Sequence, residues 1–118
     1  MARLITLLII VGALQFAWKH YSNNQTDIEY ENINQLASLV RPGEITMYST
    51  TECIYCTKAK YWLNKNNFIF TECNMSIEQR CQQEFSAYGA MGTPFLIVRG
   101  YQMKNGFDPD EFLRALKI

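Results

Sequence analysis

The chain has 118 residues, which suffices for one small domain built around a single core. Its eleven lysines and arginines balance eleven aspartates and glutamates, and no basic run stands out. The electrostatic footprint of a nucleic-acid-binding protein is therefore absent, and we expect no nucleic-acid partner. Four cysteines are too few for a disulfide-dense mini-protein, so their chemistry has to be inferred from their spacing.

An apolar segment from Leu4 to Trp18 opens the chain. Its length falls between the apolar core of a signal peptide, about 7 to 15 residues, and a membrane-spanning helix of about 20. Cleavage after Ala17 would place bulky Gln15 where a small residue is required. We therefore expect residues 1–21 to be a membrane anchor or signal segment, with a cleaved signal and a buried soluble helix as the alternatives to an anchor.

The orientation of this segment is weakly encoded, because Arg3 on one side faces Lys19 on the other. We expect the N-terminus to remain inside the cell. The rest of the chain would then lie across the membrane, in the periplasm if the source is bacterial.

The pattern of residues 22–43 predicts a connection between this apolar segment and a folded domain. Ser22–Gln25 is polar and turn-like, and from Thr26 onward apolar residues recur at spacings of three and four, which predicts a short amphipathic helix after a tether. Arg41-Pro42-Gly43 ends that helix. The folded domain is therefore predicted to span residues 44–118.

Within this domain, β-prone segments alternate with helical ones. The order is β-α-β-α-β-β-α, which predicts an α/β fold with a small mixed sheet of four strands. Ser76 and Gln79 form a capping box for the second helix, and Asp108, followed by Pro109, caps the last one. The predicted strands are 45–49, 68–73, 94–98 and 101–104, and the predicted helices are 58–66, 77–88 and one starting at Asp108.

Cys53 and Cys56 stand two residues apart where the first strand passes into a helix. Residues three apart on a first helical turn share one face, so their sulfurs can approach to disulfide distance. The unpaired N–H groups and the positive dipole end of a helix stabilise a thiolate, which is the form that attacks disulfides. We predict Cys53 as the nucleophile and Cys56 as the resolving cysteine that breaks the mixed disulfide.

Cys73 and Cys81 are the remaining cysteines. They would complete a four-cysteine zinc site with the first pair, but one lies by a strand and the other on a helix, without a second tight knuckle, so we predict no bound metal. In an oxidising compartment they would form a structural disulfide between the second strand and the second helix. Two buried free thiols fit the pattern equally well.

Thr93-Pro94 opens a central strand, which is an unusual place for a proline. The bond preceding Pro94 would be cis in a turn and trans at an ordinary strand start, and the pattern leaves both open. Tyr55 lies between the two cysteines on an exposed helical turn. We predict that it lines a substrate groove.

Four motifs occur in order along the domain: Met47-Tyr48-Ser49, Cys53-Ile54-Tyr55-Cys56, Thr93-Pro94 and Asn105-Gly106-Phe107-Asp108. In these motifs the region from about Glu44 onward resembles the glutaredoxins of the thioredoxin-like superfamily. The resemblance implies a cis Pro94 packed near Cys53, with the Thr93 backbone pairing with a substrate peptide or glutathione. It also implies that Gly106 and Asp108 belong to the same binding site.

Three positions depart from the glutaredoxin pattern. Glutaredoxins usually have proline where this chain has Ile54 and lysine where it has Thr50, and Pro109 replaces a second acidic residue. The lysine and that acidic residue hold glutathione in the family, so their loss weakens the expectation that glutathione binds. The run from Gly106 to Asp110 is similar to the glutaredoxin-like hydrogen donors of ribonucleotide reductase, which behave more like thioredoxins.

The sequence therefore predicts a thiol-disulfide oxidoreductase with a thioredoxin-like (glutaredoxin) fold behind an N-terminal apolar helix. We expect a monomer that acts on a disulfide-containing protein or a small thiol. It would need an electron donor and no bound cofactor, with glutathione or a thioredoxin-type donor as co-substrate. The alternatives are a glutathione-dependent monothiol deglutathionylase and a non-enzymatic, cysteine-based metal-binding module.

Overall fold

A computed structural model describes the backbone of residues 1–117 and the side chains of residues 1–19 and 32–117. The chain divides into two compact units, Met1–Gln35 and Leu36–Ile118. In chain order the elements are α1 (Ala2–Leu39), β1 (Ile45–Ser49), α2 (Ile54–Lys65), β2 (Thr71–Asn74), α3 (Gln79–Ala87), β3 (Phe95–Val98), β4 (Tyr101–Met103) and α4 (Pro109–Leu116).

The first half of α1, Ala2–Lys19, is long and apolar enough to cross a membrane, judged by length and composition. Signal sequences and the core helices of soluble proteins meet the same criterion. The helix leaves its large apolar side chains exposed, with Trp18 at 78%. An apolar surface of this extent is typical of a segment that contacts lipid or another protein.

The polar stretch Ser22–Gln25 does not interrupt α1, so the turn predicted there is wrong. Serine and asparagine are poor helix formers, but no glycine or proline lies between Gly12 and Pro42, and nothing forces the backbone out of the helix. The side chains of residues 20–31, which include the predicted tether, lie outside the described part of the chain. The helix ends at Leu39, before Pro42 and Gly43. Gly43 has a φ of +88°, a value that residues with a side chain rarely adopt.

The four strands form one mixed sheet in the order β2-β1-β3-β4. β1 is parallel to β2 and antiparallel to β3, and β3 is antiparallel to β4. The predicted β-α-β-α-β-β-α order and the four-stranded mixed sheet are confirmed. Because β1 is central and parallel to β2, α2 has to cross from one strand to the other, and this crossover carries the cysteine pair.

Successive side chains of a strand point to opposite faces of the sheet, and here both faces are buried. Met47, Leu96 and Met103 lie side by side in register and are fully buried. Tyr48, between Cys73 and Phe95, is buried on the opposite face with Cys81 of α3. Full burial of one such apolar side chain contributes about 1.5 to 3 kcal/mol, so these two layers dominate the stability of the domain.

β2 begins at Thr71, three residues later than predicted from the β-prone run at Phe68. The N–H of Phe68 donates to the carbonyl of Leu63 at 2.9 Å and so closes the end of α2. Its ring stacks on Trp62 with centroids 5.7 Å apart. Phe68 is therefore used for helix termination and core packing, which outweigh its strand propensity.

The predicted capping box at Ser76 and Gln79 is wrong, because α3 begins at Gln79 with Glu78 in the N-cap position and no side-chain cap. The carbonyl of Asn74 accepts the N–H groups of Ile77 and Glu78, which winds the chain into a turn before the helix starts. The hydroxyl of Ser76 accepts instead from the N–H of Thr51, at 3.1 Å. The capping of α4 is as predicted, since the Asp108 carboxylate accepts the N–H of Asp110.

A hydrogen bond from the Tyr48 hydroxyl to Glu84, 2.7 Å long, joins β1 to α3. Glu84 also accepts from Arg80, at 2.6 Å, and these two hydrogen bonds lower the pKa of its carboxyl group. Burial and the neighbouring carboxylate raise the pKa of Tyr48, which remains a neutral donor at all ordinary pH values. The pairing therefore depends on an ionised Glu84.

Acidification is predicted to destabilise the domain partly through Glu84. Because its pKa is lower in the native state than the ordinary 4.5, its contribution is complete above that value and is lost as the pH falls through the native pKa. Between about pH 6 and about pH 3 the melting temperature of the Glu84→Gln variant should fall less than that of the wild type. Circular dichroism on the full chain in detergent measures both melting temperatures. Glu78→Gln, which keeps the Tyr48 bond, serves as control, and an unchanged acid sensitivity in Glu84→Gln would contradict the prediction.

Candidate active site

Cys53 occupies the N-cap position of α2 and lies half-buried at the surface. Its backbone is extended (φ −92°, ψ 108°), and its carbonyl accepts the first helical hydrogen bond, from the N–H of Thr57 at 3.2 Å. Cys56 follows on the first turn and is 1% exposed. The two Cα atoms are 5.2 Å apart and the sulfurs form a disulfide, so the predicted pairing on one helix face is present.

Two hydrogen-bond donors converge on the sulfur of Cys53. The N–H of Cys56 donates to it at 3.0 Å, and the hydroxyl of Thr93 donates at 3.4 Å. A disulfide sulfur is a weak acceptor, whereas a thiolate is a strong one, so both contacts gain strength when the disulfide is reduced. These two donors and the positive end of the helix dipole are placed where they would stabilise a thiolate on Cys53.

The loop before β3 brings Thr93 to the cysteine pair across forty residues of sequence. The Thr93-Pro94 peptide bond is cis, and Pro94 is buried. Sequence reasoning assigned the Thr93 backbone to substrate pairing and missed the contact of its hydroxyl with Cys53. A threonine directly before the strand-opening proline was the available signal.

An open cleft of about 630 Å³ lies beside the pair. Four of the predicted binding residues line it: Tyr55, Thr93, Pro94 and Gly106. Gly106 has a φ of +90°, a conformation that a residue with a side chain rarely adopts, so the tight turn at this wall requires glycine. The predicted participant Asp108 is not among the lining residues, and its carboxylate caps α4 instead.

The floor of the cleft includes two aromatic rings that belong to the core. Trp62 and Phe107 line it with their ring centroids 5.5 Å apart. Both rings also contact Phe112 of α4, which is fully buried. The cleft therefore rests on packed aromatic side chains, and its shape is fixed by the same contacts that hold α2 against α4.

Lys58 and Lys104 line the cleft from two different elements, and the sequence reasoning identified neither. Lys58 lies one helical turn after Tyr55, with its Nζ atom 5.6 Å from the centre of that ring, and this spacing was a usable signal. Lys104 follows β4, and only the order of the strands brings it near α2. No aspartate or glutamate lines the described part of the cleft, so the charged side chains on its wall are both basic.

Cys73 and Cys81 form a second disulfide, with Cα atoms 5.4 Å apart, that ties β2 to α3. Both residues are buried, in a cluster with Tyr48 and Phe95. Among the residues that the structure describes, no cluster of three or more histidine, cysteine or acidic side chains is placed to hold a metal ion. The cysteines are thus used as two separate pairs, one at the surface and one in the core.

The fold and this site together define a thioredoxin-like protein with a C-x-x-C pair at a helix N-terminus and a cis-proline loop beside it. The glutaredoxin family model matches residues 45–101. Residues 45–101 are therefore a glutaredoxin-type domain. No curated protein matches the chain.

Solved structures of the same fold include both thioredoxin-like proteins and glutaredoxins. The thioredoxin-like protein BC3987 is 21% identical, with a TM-score of 0.54 over 60% of this chain and 97% of its own. Glutaredoxin C1 from the poplar hybrid Populus tremula x tremuloides, in its holo form, is 21% identical, with a TM-score of 0.51 over 75% and 94%. A buckwheat glutaredoxin-glutathione complex is 15% identical, with a TM-score of 0.52 over 80% and 92%.

Removing the Thr93 hydroxyl is predicted to make reduced Cys53 less acidic. The Thr93→Val variant keeps the shape of the side chain but loses one donor to the thiolate, so the pKa of Cys53 should rise. The pH dependence of iodoacetamide alkylation of the reduced protein measures this change. Thr57→Val is the matched control, because the Thr57 hydroxyl donates to the carbonyl of Cys53 and not to its sulfur. Superimposable alkylation curves for Thr93→Val and the wild type would contradict the role of this donor.

Proposed function

We propose that this protein is a thiol-disulfide oxidoreductase that reduces or exchanges disulfides of proteins or small thiols. The observation that carries the proposal is the placement of Cys53. Cys53 is the N-cap of α2 and forms a disulfide with Cys56. Its sulfur accepts hydrogen bonds from the N–H of Cys56 and the hydroxyl of Thr93. A thiol in these surroundings ionises easily once it is reduced, which the reaction requires.

Each step of the proposed reaction uses one of the two sulfurs. The Cys53 thiolate attacks one sulfur of the substrate disulfide, forms a mixed disulfide and expels a substrate thiolate, which takes up a proton. The Cys56 thiol then loses its proton and attacks the sulfur of Cys53, which releases the second substrate thiolate. Two electrons have passed to the substrate, and the Cys53–Cys56 disulfide has formed. An external dithiol, or two molecules of a monothiol such as glutathione, returns the pair to its reduced form.

A polypeptide substrate is supported by the apolar side chains exposed near Cys53. Ile54 and Tyr55 follow it directly and are each 70% exposed, and Met91 in the loop that precedes Thr93 is 98% exposed. Apolar groups that surround a reactive sulfur favour contact with another protein chain over contact with water. Tyr55, Thr93, Pro94 and Gly106 would line the adjoining part of the substrate site.

Glutathione-dependent deglutathionylation is the second candidate, and the two lysines that line the cleft favour it. Lys58 and Lys104 offer charge to an anionic ligand even though Thr50 replaces the lysine usual in the family. The buckwheat glutaredoxin, which shares the fold, was solved with glutathione. The metal-binding alternative rests on the cysteines alone, which form two disulfides in this structure.

Cysteine variants separate these candidates. Cys53→Ser should abolish disulfide reduction, and Cys56→Ser should accumulate mixed disulfides with a protein substrate, detected by non-reducing electrophoresis and mass spectrometry. The Cys73→Ala/Cys81→Ala protein, in which the core pair is removed, is the comparison and should still reduce disulfides, unlike Cys53→Ser. Full activity of Cys53→Ser would refute the proposed function. Wild-type turnover of Cys56→Ser with glutathione would establish the monothiol mechanism in place of the dithiol one.

We further propose that the apolar segment anchors the chain in a membrane and that the redox domain lies in the periplasm of a bacterial source. A buried disulfide between Cys73 and Cys81 supports this location, since such bonds persist in oxidising compartments and are rare in the cytosol. The exposed apolar surface of Ala2–Lys19 supports the anchor.

The proposed location can be tested with a reporter fused to the C-terminus. An enzyme that is active only in the periplasm should be active in this fusion and silent when residues 1–21 are deleted. Carbonate extraction should leave the full chain in the membrane fraction if the segment is retained as an anchor. A well-expressed but inactive full-length fusion would rule out the periplasmic location.

A further inference from the structure

The linker of residues 50–52 connects the end of β1 to Cys53 at the N-terminus of α2. Its position therefore decides where the Cys53 sulfur lies relative to the donors Cys56 and Thr93. Within the linker, the N–H of Cys53 donates to the carbonyl of Thr50 at 3.4 Å. Thr51 is exposed and belongs to no helix or strand, so the linker has little packing of its own.

A neighbouring loop, residues 74–78, supplies the contacts that hold this linker. The Oγ atom of Ser76 accepts the N–H of Thr51 at 3.1 Å, and the amide of Asn74 donates to the Thr51 hydroxyl at 3.4 Å. Directly beside them, the N–H of Met75 donates to the carbonyl of Ser49 at 2.8 Å. One short loop thus binds both the last residue of β1, directly before the linker, and Thr51 at the centre of the linker.

This loop is itself closed by the second disulfide. Cys73 and Cys81 bracket it, eight positions apart, and their bond fixes the separation of its ends. The Asn74 carboxamide oxygen accepts the N–H of Ser76 at 2.9 Å, which holds the backbone that carries the Ser76 hydroxyl. Because Cys81 is 0% exposed and Cys73 only 3%, the bond is shielded from thiols in solution and acts as a structural disulfide that does not take part in the reaction.

We propose that Ser76, held in place by the Cys73–Cys81 disulfide, is a positioning residue for the nucleophile Cys53. The proposal rests on the proposed thiol-disulfide chemistry and adds to it a second, non-reacting disulfide that affects the reactivity of the first. Ser76 acts through the Thr51 N–H and the linker, and it does not contact the reacting sulfurs.

The sign of the effect follows from which redox form the donors favour. A correctly placed linker keeps Cys53 within reach of two donors that stabilise its thiolate, and so favours the reduced form of the pair. Loosening the linker weakens that stabilisation, which raises the pKa of the Cys53 thiol and makes the reduction potential more negative. Ser76 and the Cys73–Cys81 disulfide therefore make the Cys53–Cys56 pair more reactive near neutral pH and less strongly reducing.

The test compares variants of the full chain in detergent, with alkylation of reduced Cys53 and the reduction potential of the Cys53–Cys56 pair as readouts. Ser76→Ala should slow alkylation near pH 7 about two- to fivefold and make the potential more negative. Ser76→Thr, which retains the hydroxyl, should behave as the wild type. Ser86→Ala is the matched control, because Ser86 is an exposed serine of α3 whose hydroxyl accepts only from Gln82 among the described side chains.

The Cys73→Ala/Cys81→Ala background shows whether the disulfide acts through Ser76. It should shift both readouts in the same direction as Ser76→Ala, and the further effect of Ser76→Ala should be much smaller there than in the wild type. Ser76 is exposed, so Ser76→Ala by itself remains decisive if the doubly substituted protein fails to fold.

The outcomes separate the two proposals. Unchanged alkylation and potential in a folded Ser76→Ala protein would overturn the positioning role while leaving the oxidoreductase intact. A wild-type Cys53 that is no more reactive than an ordinary thiol would instead overturn the proposed function. Equal losses in Ser76→Ala and Ser86→Ala would mark a general surface effect and would also overturn the positioning role.

Discussion

The sulfur of Cys53 accepts two hydrogen bonds, one from a residue of its own helical turn and one from a residue forty positions away. One comes from the first turn of α2 and the other from the cis-proline loop before β3. Both donors already point at the Cys53 sulfur in the oxidised protein, before a thiolate forms. The cleft, the linker after β1 and the sheet that brings β1 beside β3 all matter to the chemistry because they maintain this arrangement.

The site rests on core packing more than on local motifs. Trp62, Phe107 and Phe112 contact one another beneath the cleft, and the sheet layer of Met47, Leu96 and Met103 fixes the separation of β1 from β3 and β4. This rigidity allows an exposed linker and a loop to be positioned to within a hydrogen-bond length. The two disulfides also differ in their surroundings: Cys53 of the first is half-buried at the edge of the cleft, whereas both cysteines of the second are buried in the core.

Much of this architecture is evident from sequence pattern. The alternation in β1, the turn at Gly106 and the Asp-Pro start of α4 are local features, and each is where the pattern places it. The failures also have local causes. Phe68 packs in the aromatic core instead of joining the strand. The Ser76 hydroxyl accepts from Thr51 instead of capping a helix. Ser22–Gln25 contains no residue that breaks a helix.

The cysteine spacing and the strand-to-helix transition were sufficient to predict that Cys53 and Cys56 pair, because residues three apart on a helix meet without help from the rest of the fold. The surroundings of those sulfurs could not be inferred in this way. Thr93 reaches Cys53 across forty positions and Ser76 reaches Thr51 across twenty-five. Hydrogen bonds between such distant residues leave no periodic trace in a single sequence, since they arise only after the strands have paired and the helices have packed on the sheet.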